Sequence, residues 1–239
     1  MSMSEPGRLP PSPSASRRNK SLLGLVQRRE CFVPTLRGWV SILVVWMIAL
    51  AVATRFAYSF LASNHPLSSE ILVVEGWEPR YAMDQAVAEF NRGRYRTLFV
   101  TGGAIEEGSL LSEYKTYANL GGTVLQKSGF PGANLQIVPA PQVKKDRTFQ
   151  SALALKDWMT ANGGIPPTLN VVSLGTHSRR THLLFEKAFG NQSRVGIIAV
   201  ENRDFDPASW WHYSQGVRSV VDETVAYLYA LLWFKPDRP

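Results

Sequence analysis

The chain has 239 residues, one cysteine and a formal charge of +7, a length that allows one domain with an appendage or two small domains. Seven of its 26 basic side chains fall within residues 1–37, against only Glu5 and Glu30. The remaining 202 residues are nearly balanced, with 19 basic and 17 acidic groups. That distribution argues against a basic nucleic-acid surface on the body, and a lone Cys31 excludes an internal disulfide.

Residues 1–20 are rich in Ser, Pro and Arg and hold almost nothing that could bury apolar surface, so they are predicted to be disordered. SLLGLVQ followed by Arg28-Arg29 fits a short interfacial helix against anionic lipid. Cys31 is read as a free thiol, with lipidation as the alternative. Residues 38–54 then run without a charge. After Arg55 the apolar character continues to Ala62. This is the length of a bilayer span, with Trp39 and Tyr58 placed for the two interfacial belts. Basic residues precede the span, while Glu70, Glu75 and Glu78 follow it before Arg80. The positive-inside rule therefore predicts a cytoplasmic tail (1–37), a signal anchor (38–62) in the plasma membrane of a bacterium, and an extracytoplasmic body (63–239). Ala51-Val52-Ala53 also resembles a signal-peptide cleavage site, although the 37-residue leader is long for one.

From Ile71 onward, strands and helices alternate. ILVV (71–74), TLFV (97–100), LQIV (135–138), VVSLG (171–175) and GIIAV (196–200) read as strands. Between them, 82–92, 109–120, 148–161 and 179–189 carry helical apolar spacing, ending at Gly93, Gly121-Gly122, Gly163-Gly164 and Gly190. Residues 218–234 read as a packed helix, because Asp222 and Glu223 leave too few uncharged residues for a second span. The pattern predicts an α/β fold: a three-layer α/β/α Rossmann-like domain with a mainly parallel sheet of about five strands.

Four strands break off into polar clusters. These are Glu75-Gly76-Trp77, Thr101-Gly102-Gly103, Thr176-His177-Ser178-Arg179-Arg180 and Glu201-Asn202. Ligands of open parallel sheets bind beyond the strand carboxyl ends, so the four clusters predict one shared site. Thr101-Gly102-Gly103 is either a phosphate cradle or a tight turn, and it matches no dinucleotide or nucleoside-triphosphate motif. Asp146-Arg147-Thr148 precedes a helix. Asp146 or Thr148 would cap it, while the Arg147 cation opposes the helix dipole unless an anion binds there. His177 can act as a general acid or base, with Arg180 or Arg179 clamping a phosphate or carboxylate. Glu75 either orients His177, acts as a base, or neutralises Arg147 or Arg180. Trp210-Trp211-His212-Tyr213 is read as core packing or, less readily, a stacking platform. The four histidines have no metal-ligand spacing, so no metal is predicted, and no nucleophile elbow is present.

In this order, these clusters resemble the SanA/YdcF/ElyC-like family, catalogued as domain of unknown function 218, over roughly Ser69–Phe234. The matching elements are ILVVEGW, LFVTGG, Ser112-Glu113, Asp146-Arg147-Thr148 with Ala152, SLGTHSRR, and Glu223 with Tyr227 and Tyr229 nearby. The resemblance places the family histidine on His177 and its arginine on Arg180, and it adds Glu113 to the candidate site. The chain departs from the family at Glu75-Gly76-Trp77, where a Gly-rich loop is usual, and in the doubled Arg179-Arg180. The family is associated with envelope integrity and with peptidoglycan or polysaccharide assembly, and a soluble relative is reported to bind S-adenosylmethionine.

Residues and resemblance together lead to an expected function. A membrane-anchored envelope protein would bind an anionic, phosphorylated metabolite, such as a lipid-carrier-linked one. Its catalytic candidates are His177 and Glu75. Its ligand-binding candidates are Gly76, Thr101, Gly102, Gly103, Glu113, Asp146, Arg147, Thr148, Thr176, Arg179 and Arg180. Whether the protein is an enzyme, and with what cofactor, stays open. The alternatives are a scaffold or glycan-binding module that meets envelope-synthesis partners, or a cytosol-facing domain that binds S-adenosylmethionine or a nucleotide.

Overall fold

The computed structural model describes residues 34–236, so the predicted tail 1–20, Cys31 and most of the 21–37 stretch lie outside the described residues. The first helix, α1 (Leu36–Leu61), exposes its large apolar side chains on every side and buries only Tyr58 and Leu61. A helix at home in water buries at least one apolar stripe. Among the described residues, α1 is the one helix long and apolar enough to cross a membrane.

The body alternates as predicted: β1 (Ile71–Glu75), α2 (Arg80–Arg92), β2 (Thr97–Gly102), α3 (Tyr117–Lys127), β3 (Leu135–Pro139), α4 (Arg147–Ala161), β4 (Thr168–Leu174), α5 (Ser178–Phe189), β5 (Arg194–Val200) and α6 (Ser214–Leu232). The five strands form one all-parallel sheet in the order β3-β2-β1-β4-β5. Strand side chains alternate between faces, and both faces are covered. Leu72, Val74, Leu98, Val100 and Val172 pack under α2 and α3 through Ala82, Met83, Ala86 and Leu125. Val73, Phe99, Val171 and Ile197 pack under α4, α5 and α6 through Phe149, Leu155, Leu184, Phe185 and Ala230. The near-continuous apolar runs seen in the sequence are what a sheet buried on both faces requires.

Alternation also carries the polar residues at the strand ends. Glu75 and Thr101, paired in register, follow Val73 and Phe99 onto the α4/α5 face. Ser173 follows Val171 in the same way and hydrogen-bonds Thr181 of α5 at 3.3 Å. β1 lies centrally, with the chain winding outward through β2 and β3 on one side and β4 and β5 on the other. The switch point therefore falls between the carboxyl ends of β1 and β4.

Two predicted helices differ from those observed. In place of a helix over 109–120, Ser112–Tyr114 forms a 3-10 turn, and α3 starts at Thr116, whose hydroxyl accepts the Asn119 amide at 3.2 Å. Gly121-Gly122 does not end α3 but lets it lie close to the sheet. A Cβ on Gly121 would stand 2.7 Å from the Gly76 Cα, and one on Gly122 would stand 2.3 Å from the Ile137 side chain. The last helix begins at Ser214 and packs by only one face, burying Gly216, Val220 and Ala230 and leaving an apolar stripe exposed.

The end of α1 belongs to the body. Tyr58 and Leu61 pack with Phe205, Trp210 and Val220. The Trp210 indole donates to the Thr54 carbonyl at 3.1 Å, and Ser178 Oγ donates to the Leu61 carbonyl at 3.3 Å. The following segment runs back along β5 through a His65–Ile197 bridge. Buried Asn170 holds it by bonding both the amide and the carbonyl of Leu67 at 2.8 and 2.7 Å.

Candidate functional site: a charged crevice at the sheet switch point

A crevice of about 530 Å³ opens beyond the carboxyl ends of β1, β2 and β4. Its floor is Glu75, Gly102, Gly103 and Ser151. Lys144, Lys145, Asp146, Arg147 and Thr148 form one wall, at the start of α4. His177, Arg180 and Leu184 of the β4–α5 region, with Ala226, Tyr229 and Ala230 of α6, form the other. Trp77, Tyr117 and Phe234 complete the lining.

At the bottom sits a four-residue charge cluster. Arg180 grips Glu223 of α6 bidentately, Nε to Oε2 at 2.8 Å and Nη2 to Oε1 at 3.0 Å. His177 Nδ1 lies 2.9 Å from Glu223 Oε1, and its Nε2 lies 3.4 Å from Glu75 Oε2. Because Nδ1 faces a carboxylate, it carries the proton and donates to Glu223. The nearby Arg180 Nη2, 2.9 Å away, directs its own hydrogen to the same carboxylate. Trp77 closes over the imidazole edge-on, with ring centroids 5.1 Å apart.

Burial and pairing compete in this cluster. Burial disfavours charge on His177, but the Glu223 hydrogen bond and then Glu75 outweigh it and raise the pKa to about 9. Burial likewise pushes Glu223 up, and the bonds from His177 and Arg180 reverse that and bring it down to about 2. Glu75, 2% exposed, is also held below its ordinary value, since His177 and Arg180 overcome its desolvation. At neutral pH two cations therefore meet two carboxylates. His177 enters that state as an imidazolium, an acid rather than a base. Next to the cluster, burial and then the Glu75 charge raise Glu78 to about 8. Its Oε1 accepts the Leu174 amide at 2.9 Å, which ties β4 to the start of α2.

The wall at the start of α4 is different in kind. Lys144, Lys145 and Arg147 carry three cations beside the amino end of a 15-residue helix, where the dipole adds to their field. Among the described residues, Arg147 pairs only with exposed Glu106, at 3.6 Å. An exposed pair of this kind contributes little and yields readily to a better anion. Asp146 holds the turn in the left-handed region, φ 58° and ψ 35°, and its side chain does not cap the helix as the sequence led one to expect.

The predicted site residues divide. Glu75, Gly102, Gly103, Asp146, Arg147, Thr148, His177 and Arg180 line the crevice. Gly76 does not. A Cβ there would meet the Tyr117 carbonyl at 2.0 Å, so this glycine admits α3 rather than a ligand. Thr101 is buried and donates to the Ser151 carbonyl at 3.1 Å, and Thr176 is held by Ser219 at 2.7 Å. Exposed Glu113 stands on the 3-10 turn, outside the lining. Arg179 turns away from its neighbour, with its guanidinium 4.0 Å over the Phe60 ring of α1. The fourth cluster fails as well, because Glu201 faces a separate depression beside Arg55 and Tyr58. Three strand ends converge instead of four, since β5 is the sheet edge.

Sequence reasoning placed Trp77 in a strand-end cluster without giving it a role, passed over Lys144 and Lys145 as lining residues, and did not pair Glu223 with His177. The two lysines were visible as a basic pair directly before Asp146-Arg147. Glu223 was marked only through the resemblance, and its contact with His177 is brought in by the packing of α6. No family model matches the sequence, and no curated protein matches it.

Proposed function

We propose that the protein is a membrane-anchored receptor or enzyme for an anionic, phosphorylated metabolite, bound at the switch point of its sheet. The observation that carries this reading is that one crevice gathers two sets of cationic groups. Lys144, Lys145, Arg147 and the α4 amino end line it together with His177 and Arg180, and Trp77, Tyr229 and Phe234 add apolar surface. Cations and free helix amides suit phosphate oxygens, while the rings suit a sugar or an acyl or prenyl chain attached to them. In its catalytic form the reaction is cleavage or transfer at phosphorus. Arg147 and the lysines hold the phosphoryl oxygens. His177 donates its proton to the leaving oxygen and takes one back from the attacking hydroxyl or water. The anchor is α1, with the amino terminus cytoplasmic and the body outside. The resemblance to the SanA/YdcF/ElyC-like family points the same way, toward cell-envelope assembly, and a lipid-carrier phosphate is the metabolite class it favours.

The test is titration of inorganic pyrophosphate into the full chain in detergent, with a Lys144→Gln/Arg147→Gln variant alongside. Both residues lie at the surface of the crevice wall, so the fold survives the change. Saturable binding that the double variant weakens at least tenfold supports the reading, and equal affinity in the two proteins overturns it.

A second reading, a non-catalytic binding module, is favoured by one specific observation. Both nitrogens of His177 already face carboxylates, as in a structural ion cluster. On that reading His177→Gln retains full cellular function.

A further inference from the structure

Among the described residues, the outer face of α6 has no partner. Val217, Val221, Val225, Leu228 and Leu232 recur at helical spacing along the whole helix and are 39–63% exposed. They form one stripe on one side, and soluble monomers rarely leave so long an apolar run open. The opposite face is fully used, by buried Gly216, Val220 and Ala230 and by Glu223 in the charge cluster. Arg218 and Asp222 flank the stripe and do not interrupt it.

Two further features indicate what covers it. Exposed aromatic rings stand at both ends, Trp211 and Tyr213 before α6 and Trp233 after it. Amphipathic rings in such positions are characteristic of a lipid–water interface. The stripe also adjoins the last turns of α1. Val220 and Tyr227, each one residue from a stripe position, pack against Tyr58, Leu61 and Phe60. The exposed apolar surface of α1 thus reaches the body at the helix whose outer face is also apolar.

We propose that the α6 stripe is a membrane-contact surface, covered by lipid of the leaflet from which α1 emerges. α6 then lies in the interface as an amphipathic helix whose polar side is the protein itself. The crevice, with α6 as one wall, takes its ligand at the bilayer surface. This inference rests on the reading of α1 as a membrane span, so the experiment probes the two helices separately.

Single cysteines are introduced into the full chain on a Cys31→Ser background, as Val221→Cys, Leu228→Cys, Val45→Cys in α1 and Asp157→Cys on the exposed side of α4. Each is labelled with nitrobenzoxadiazole and reconstituted into phosphatidylcholine–phosphatidylglycerol vesicles, with and without doxyl-labelled lipid. All four positions are exposed, so the labels leave the core intact. Expected is strong quenching at 45, 221 and 228 and none at 157. Quenching at 45 alone overturns the inference while the span stands. Quenching at none of them overturns both. Disulfide-linked dimers of Val221→Cys, with position 221 unquenched, assign the stripe to a second copy and overturn it as well.

Discussion

Arg180 and Glu223, 43 residues apart, meet as a bidentate ion pair that joins α5 to α6 behind the crevice. Breaking a buried pair by removing one partner is far costlier than replacing both, because the survivor keeps its desolvation penalty without its counter-charge. Glu223→Gln is therefore expected to lower stability by about 3 kcal/mol, the lower end for buried pairs, since both side chains retain some exposure. The double variant Arg180→Met/Glu223→Leu is expected to recover part of that loss. Urea denaturation midpoints of the three proteins check both statements.

The same cluster sets a pH dependence. His177 rises from 6.5 to about 9 on folding, so its stabilisation is complete below 6.5 and lost as pH climbs through 9. Glu223 falls from 4.5 to about 2, so its contribution is complete above 4.5 and lost as pH drops toward 2. Glu78 rises from 4.5 to about 8, so stability declines across that interval as the unfolded chain ionises it first. Together these place maximal stability near pH 4.5, with a shallow decline above it that steepens past 6.5 as His177 joins in. Glu78→Gln should flatten the decline between 4.5 and 6.5, leave the His177 decline above 6.5, and keep the acid limb intact. Glu223→Gln should remove most of the acid limb. Thermal midpoints measured from pH 3 to 9 separate these outcomes.

The glycines at the strand ends make opposite predictions. Gly76→Ala drives a Cβ into the Tyr117 carbonyl at 2.0 Å, whereas one at Gly103 has nothing nearer than 3.8 Å. Gly76→Ala is expected to cost about 3 kcal/mol, the upper end for overpacking. Gly103→Ala is expected to leave stability nearly unchanged while weakening pyrophosphate binding, because it fills the crevice floor. A denaturation curve and a titration on each variant are sufficient.

Neighbouring arginines should separate cleanly. Arg179→Ala removes a cation–π contact with Phe60, about 0.5–1 kcal/mol at a partly exposed site, and should leave pyrophosphate affinity as it is. Arg180→Lys keeps the charge but loses the fork that spans both Glu223 oxygens, so it should weaken both stability and binding. Calorimetric titration of both proteins distinguishes a helix-docking residue from a crevice residue.

Much of this was legible in one dimension. The short apolar runs and the period-3.6 patterns between Ile71 and Phe234 specify alternating strands and helices, and that alternation dictates a parallel sheet. The clusters at strand ends marked His177, Arg180 and Gly103, and the cation at a helix start marked Arg147, and all four line the crevice. The errors have a common origin. Gly76 and Gly121-Gly122 look like ligand-approach or stop signals, because a sequence does not say whether a missing Cβ admits a ligand or another helix. Arg179 and Arg180 look equivalent until the α5 register points one at Phe60 and the other at Glu223.

What the sequence determined by itself is what short-range physics controls: the uncharged run that makes α1, the alternation of strands and helices, and the chemistry available at each strand end. The tertiary structure alone decided which ends converge, because strand order leaves β5 at the sheet edge and takes Glu201 out of the site. It alone paired Glu223 with His177, since a side chain on the last helix reaches His177 only through the packing of α6 on α5. And it alone left the α6 stripe open, because amphipathicity tells which face of a helix is apolar but not what covers it.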